Sequence, residues 1–324
     1  SLSVWFLINT NKNFIRNFTT SMILAFCLVL IDGYYQYFTG FNFFNNEYLG
    51  NRLSGLFGDE YILGSYLSRL FPILFGLMLL QFSQNKLSII LIFMITIFTG
   101  GLIYISGERV AFFNFIFGLL LIIFFTKKFK IIGIISFLIS MILILAITYS
   151  SPNIKSRMID KTLNQTNLLT NDGNFTIFSK AHENIFSSGL NILNDHRLFG
   201  VGPKLFRFHC ADEKYYVSEG CSTHPHNIYL QLLIETGIIG TIPVIALLFF
   251  LSYMLFMNFS FISYKYRKHL SDFQICLIIA ILVSLFPFIP SNSFFNNWIS
   301  IIYFLPVGFL INSFYSEEKN IDEK

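Results

Sequence analysis

Residues 221–240, CSTHPHNIYLQLLIETGIIG, hold the side chains best suited to moving a proton. His224 and His226 flank Pro225, and imidazole is the side chain whose ordinary pKa lies nearest neutrality, which suits a general base. Pro225 biases His224 toward extended backbone, so a helix can start at about His226 and stop near Gly237. On that helix Asn227, Gln231 and Glu235 advance by about 40° per step and form one polar stripe, with His226 on the adjoining edge of the first turn. The helix end would set unpaired N–H donors beside two histidines, an arrangement that attracts phosphate. Spacing alone fits a helix cap with solvated histidines equally well.

Arginine supplies the complementary chemistry, because its planar fork of donors matches phosphate oxygens. Arg109 follows the turn ISG at the start of an apolar run, and Arg52 lies in EYLGNRLSGLFGDEYILGSY. Two such groups at one membrane surface can clamp a pyrophosphate; contact with lipid headgroups is the alternative for either taken alone. Arg69 falls inside an apolar run, where a charge is costly and is usually paired or lines a cavity. In TIFSKAHENIFSSGLNIL the residues Phe178, Ala181, Ile185, Gly189 and Ile192 recur at helical spacing, which predicts an amphipathic helix with His182 on the same face as Phe178. Gly200, Gly202 and Pro203 in LFGVGPKLF predict a turn, and without a surrounding βαβ pattern the glycines do not read as a dinucleotide site. Cys210 and Cys221 flank ADEKYYVSEG, and a disulfide is expected there if the segment is exported. Cys27 and Cys276 sit in apolar runs as small fillers. No cysteine has metal-ligand spacing, and no metal or cofactor is expected.

The elements that must position these groups are membrane helices. Hydrophobic residues make up 54% of the 324 and charged residues 12%, against about 25% charged in soluble domains. Mean hydropathy is +0.62. Apolar runs near the length of a bilayer span fall at 18–36, 62–82, 87–105, 109–126, 131–149, 239–258, 272–290 and 297–315. They are too long and too uniformly apolar for barrel strands, so the fold class is all-α: a polytopic transmembrane bundle of about eight helices with one long, partly helical loop. The chain begins with Ser and has no cleavable signal pattern, so earlier helices are expected to precede it. Basic residues mark alternate connections: Lys12 and Arg16, then Lys86, then Lys127, Lys128 and Lys130, then Lys265, Arg267 and Lys268. A single orientation puts all of these inside, together with the tail SEEKNIDEK. The loop 37–61, the turn ISGERV, the segment 150–238 and SNSFFNN then face outward. This divides the chain into helices with arginine-bearing loops (1–149), a loop subdomain (150–238), and closing helices with a cytoplasmic tail (239–324). A net charge of +4 spread by topology leaves no patch for nucleic acid.

The stretches DHRLFGVGPKLFRFHC and CSTHPHNIYLQLLIETGIIG resemble the signature of the O-antigen ligase and polymerase superfamily, and SGERVAF and NRLSGLFGDEYILGSYL resemble its two upstream motifs. The resemblance spans most of residues 50–315. It implies a metal-independent glycosyltransferase of the bacterial inner membrane. Such an enzyme moves a glycan from an undecaprenyl pyrophosphate carrier to an acceptor on the periplasmic face, either lipid A core or another glycan. By motif, Arg52 and Arg109 would hold the pyrophosphate, His226 would be the catalytic base, and Glu235 matches an acidic position able to orient the region. His182, His224 and Asn227 would support them. One departure stands out: many members carry an arginine where this chain has His182, so either Arg207, in LFRFHC, supplies the missing charge or this subgroup binds its donor differently. Ligase, polymerase and protein-glycosylating enzymes share these motifs. A flippase or transporter would instead gather its charges at the membrane midplane, where only Arg69 lies.

Overall fold

The computed structural model describes residues 2–48, 50, 52–82, 86–127, 130–165, 179–259 and 270–322. Lys128, Lys265, Arg267, Lys268 and Phe178 lie outside the described residues. The chain is all-helical: α1 Leu2–Thr10, α2 Phe14–Thr39, α3 Leu63–Phe82, α4 Lys86–Ile105, α5 Arg109–Phe125, α6 Lys130–Ser150, α7 Pro152–Lys155, α8 Lys161–Gln165, α9 Lys180–Asp195, α10 Phe206–His209, α11 Ile228–Phe259, α12 Asp272–Ser284 and α13 Asn297–Asp322. Six of these are long and apolar enough to cross a bilayer: α2, α3, α4, α6, α11 and α13. Apolar helices α5 and α12 are shorter, at 17 and 13 residues. The run expected to be helical to residue 290 stops at Ser284 because Pro287 and Pro290 follow. Proline lacks the N–H that a helix interior needs and turns the preceding residue away from α geometry.

The chain divides into two compact units: residues 1–159, 255–284 and 304–324, and residues 160–254 and 285–303. In the first, α3 and α12 form the packed centre, with α2, α4 and α5 beside them. Every residue of α12 after Asp272 is buried. A Cβ at Gly76 would lie 2.7 Å from that of Cys276, so a glycine on α3 lets the two helices approach closely, with Cys276 filling the gap. In contrast α6, the most apolar helix, is only 22% buried, as a helix facing hydrocarbon should be. Helix α2 ends where Gly40 takes φ +86° and its N–H bonds to Gln36 O, a left-handed cap that glycine adopts without steric cost.

The second unit has its own apolar core of Ile185 and Ile192 from α9, Phe206 from α10, Tyr215, Ile234 from α11, and Cys210. On α9 the expected face is present at Ile185, Gly189 and Ile192, joined by Ser188. Ala181, in the first turn of α9, is exposed instead. Helix α11 breaks at Gly237, which takes φ +67°. The expected short helix and the following membrane helix are therefore consecutive segments of one element.

Candidate functional site

In the second unit, the turn expected at Gly200 and Gly202 lies against the end of the first α11 segment. Val201 N and Gly202 N donate to Ile234 O and Glu235 O, both at 2.9 Å, and Ile238 N donates to Arg197 O at 2.9 Å. Gly200 and Gly237 have positive φ, and a Cβ on either would collide with backbone of the other segment. Glu235 is fully buried, and its carboxylate accepts from Lys204 N (2.9 Å), Phe206 N (3.3 Å) and Gln231 Nε2 (3.0 Å). Two of these donors belong to the 197–206 turn, so the carboxylate joins that turn to α11. The polar stripe is likewise engaged. Asn227 Oδ1 accepts from Tyr229 N and Leu230 N, both at 3.0 Å, which makes it the N-cap of α11, and its Nδ2 reaches Pro287 O at 2.8 Å. Gln231 holds the 285–296 loop through Ser293 Oγ (2.9 Å) and Phe294 N (2.8 Å).

His226 lies just outside the helix rather than in its first turn, with φ +56°, a left-handed conformation uncommon outside glycine. The constraint is visible: Ser291 N donates to its carbonyl at 2.8 Å, while Asn227 fixes the next residue as the cap. The bend brings three imidazoles together. The His226 ring centroid is 4.2 Å from that of His224 and 5.5 Å from that of His182. His224 Nε2 lies 3.2 Å from Ser291 O; a carbonyl only accepts, so Nε2 carries the proton and Nδ1 faces Thr223 Oγ at 3.1 Å. His226 Nε2 meets Ser222 Oγ at 3.1 Å, and His182 Nδ1 meets Ser179 Oγ at 2.7 Å. Burial lowers the pKa of His226 to about 4, assisted by the neighbouring His224 and His182. His226 is therefore neutral at pH 7 and able to accept a proton. Burial also lowers His224, with Arg207 adding to the effect. Arg207 itself is exposed. Cys210 and Cys221 are bonded, with Cα atoms 5.1 Å apart, and so tether residues 211–220 directly before this cluster. Among the described residues no group of three His, Cys, Asp or Glu is placed to hold a metal.

In the first unit, the turn Ser106, Gly107, Glu108 and Arg109 between α4 and α5 organises a set of arginines. Leu53 N donates to Ser106 O at 3.3 Å, which docks the Arg52 segment. The Arg52 guanidinium donates to Tyr61 O at 2.9 Å and lies 4.7 Å from the centre of the Tyr61 ring, while its buried Nε lacks a partner among the described residues. The rest of that loop is set by Gln36, whose Oε1 accepts from Gly55 N at 2.7 Å and whose Nε2 reaches Asn46 O at 3.1 Å. Arg157 Nε donates to Gly107 O at 3.3 Å, and the charge of Arg157 acts on both Arg52 and Arg109. Burial lowers the pKa of Arg52; Glu108 opposes the shift and Arg157 adds to it. Glu108 is buried and caps α3 from outside, accepting from Gly64 N (2.6 Å), Ser65 N (3.1 Å) and Ser65 Oγ (2.8 Å). Arg69 is 3% exposed, and its Nε and Nη1 have no hydrogen-bond partner among the described residues.

Residues 89–245 match the family model described as O-antigen ligase. The chain carries an O-antigen ligase domain. No curated protein is a significant match. The matched region supports a membrane protein of the O-antigen ligase and polymerase superfamily and an enzyme of glycosyl transfer. It contains Arg109, Arg157, all three clustered histidines, Arg207, Asn227 and Glu235; Arg52 precedes it. Two residues escaped the sequence reading. Glu108 stands inside ISGERV, and its charge beside Arg109 was the available signal. Arg157 in SRMID meets Gly107 across a separation of 50 residues, which no local spacing encodes.

Proposed function

We propose that the enzyme moves a glycan from an undecaprenyl pyrophosphate carrier to a hydroxyl of an acceptor, lipid A core in the ligase reading, on the periplasmic face of the inner membrane. Arg52 and Arg109 hold the donor's pyrophosphate, and His226 takes the acceptor's proton. The acceptor oxygen bonds to the anomeric carbon as the bond from that carbon to the pyrophosphate oxygen breaks. The electron pair leaves with the carrier pyrophosphate, whose extra negative charge the guanidiniums stabilise. The observation that carries this reading is His226: a neutral imidazole, bent out of the helix start into a cluster of three, within the ligase domain. Burial, with His224 and His182 adding to it, keeps it unprotonated, and Glu235, Asn227 and Gln231 hold its surroundings.

The reading is tested with the full chain in lipid vesicles supplied with a purified undecaprenyl-pyrophosphate glycan and a lipid A core acceptor. The expected result is glycan-bearing lipid A and free undecaprenyl pyrophosphate in equal amounts. Glycan lengthened on the carrier, with lipid A unmodified, would show a polymerase instead. Movement of intact donor across the bilayer without transfer would overturn the reading.

A further inference from the structure

Helix α11 restarts at Ile238, and the stretch 238–259 spans roughly 33 Å at the α-helical rise, close to the hydrocarbon thickness of about 30 Å. It needs its whole length to cross, which puts Ile238 at one boundary of the bilayer. The 197–206 turn is fastened at that level. Ile238 N donates to Arg197 O at 2.9 Å, and Ile239 N donates to Leu198 O at 3.3 Å. Leu198 and Phe199 are nevertheless exposed, Phe199 at 74%, and so are Ile238 and Ile239. Leu205 and Phe208 are exposed as well, whereas Phe206 between them fills the core of the unit. An apolar surface of this kind, joined to the start of a membrane-crossing helix, marks an interaction site. Charge is divided along the chain in the same sense. Residues 197–208 carry Arg197, Lys204 and Arg207, all exposed, and no carboxylate, while residues 211–219 carry Asp212, Glu213 and Glu219 against Lys214.

From this arrangement we infer that the 197–208 segment is a docking surface for anionic phospholipid. Leu198 and Phe199 enter the leaflet in which the second α11 segment begins, and the side chains of Arg197 and Lys204 reach the phosphates of its headgroups. Basic residues interleaved with exposed aromatic and aliphatic ones make an interfacial segment, because the apolar groups leave water while the cations meet a negative surface. The acidic 211–219 stretch has the opposite preference and stays in water. Docking also steadies the end of the first α11 segment, since Val201 N and Gly202 N hold Ile234 O and Glu235 O from the same turn. The inference does not depend on which residues bind the donor or take the proton.

The test uses the full chain in nanodiscs of equal parts phosphatidylglycerol and phosphatidylcholine. Photoreactive benzoylphenylalanine takes the place of Phe199 or, as the control, of Tyr216, which is also exposed but lies in the acidic stretch. Adducts formed on illumination are identified by mass spectrometry. Position 199 is expected to capture lipid, with phosphatidylglycerol favoured by about fivefold, the enrichment for one basic side chain at an anionic surface. Position 216 is expected to capture little lipid. Arg197→Gln combined with Lys204→Gln should bring the ratio of the two lipids at position 199 close to one. High salt should lower that ratio without any substitution, and it serves if the double variant fails to fold. The inference is overturned if position 199 captures a second copy of the chain or no lipid, if it captures both lipids equally, or if position 216 captures lipid as readily. A phosphatidylglycerol preference that survives both the double substitution and high salt also overturns it.

Discussion

At the scale of single residues, the environment divides side chains of one type into different roles. Of the histidines, His226 combines a left-handed backbone with two imidazole neighbours and a pKa lowered to about 4. The sign of that shift sets two expectations. The unfolded residue protonates near its ordinary 6.5 and the folded one only near 4. The folded state therefore binds fewer protons between those values, and stability falls as pH drops through that window. The proposed base also stays unprotonated down to that lower limit. The acid limb of kcat/KM, which reports the free enzyme, is expected well below 6.5 and close to 4. A limb centred at 6.5, measured on protein shown to remain folded, would mean that a group other than His226 controls the rate. Glu235 illustrates the opposite case. The sequence placed it on the same stripe as Asn227 and Gln231, but the stripe faces the 197–206 turn and the 285–296 loop, and its polar atoms are spent on their backbone.

At the scale of elements, the apolar runs were readable because a membrane helix needs only length and uniform hydropathy. The bend at the start of α11 was not. Pro225 indicated an extended His224, but the extra residue outside the helix depends on Ser291, 65 positions further along the chain, donating to His226 O. Arg157 was hidden in the same way, since its partner lies on a distant turn. Glycines at Gly200 and Gly237 were visible as turn signals, and the structure adds why they are needed: each has positive φ and abuts the other segment's backbone. Gly200→Ala and Gly237→Ala are therefore expected to displace the 197–206 turn and sharply reduce both folded yield and transfer. Gly40→Ala, at φ +86° with nothing within 4 Å, should cost only about 1 kcal/mol of backbone strain. Thermal unfolding of the three variants in detergent checks this, and equal losses would contradict it. Opening the Cys210–Cys221 loop should cost about 3 kcal/mol by the loop-entropy relation, read as a lower unfolding temperature after reduction.

At the scale of the whole molecule, the enzyme class follows from the ligase domain, while the proposed direction of its active face follows from the basic connections. Lys12, Arg16, Lys86, Lys127 and Lys130 then face the cytoplasm, and residues 179–227 face the periplasm. With Cys27 and Cys276 replaced, a cysteine at Asp212 should react with an impermeant thiol reagent in cells whose outer membrane is permeabilised, and one at Lys127 should not. The reverse pattern would remove the periplasmic assignment. The central claim is that donor capture and acceptor activation are carried by different residues. It is tested most directly by measuring donor binding and single-turnover transfer side by side for Arg109→Ala and His226→Ala in reconstituted membranes. Arg109→Ala should weaken donor binding and also slow transfer, because its charge stabilises the departing pyrophosphate. His226→Ala should leave donor binding near wild type while transfer falls by about 100-fold or more, the usual range for a general base. Transfer at the wild-type rate by folded His226→Ala protein would contradict the account.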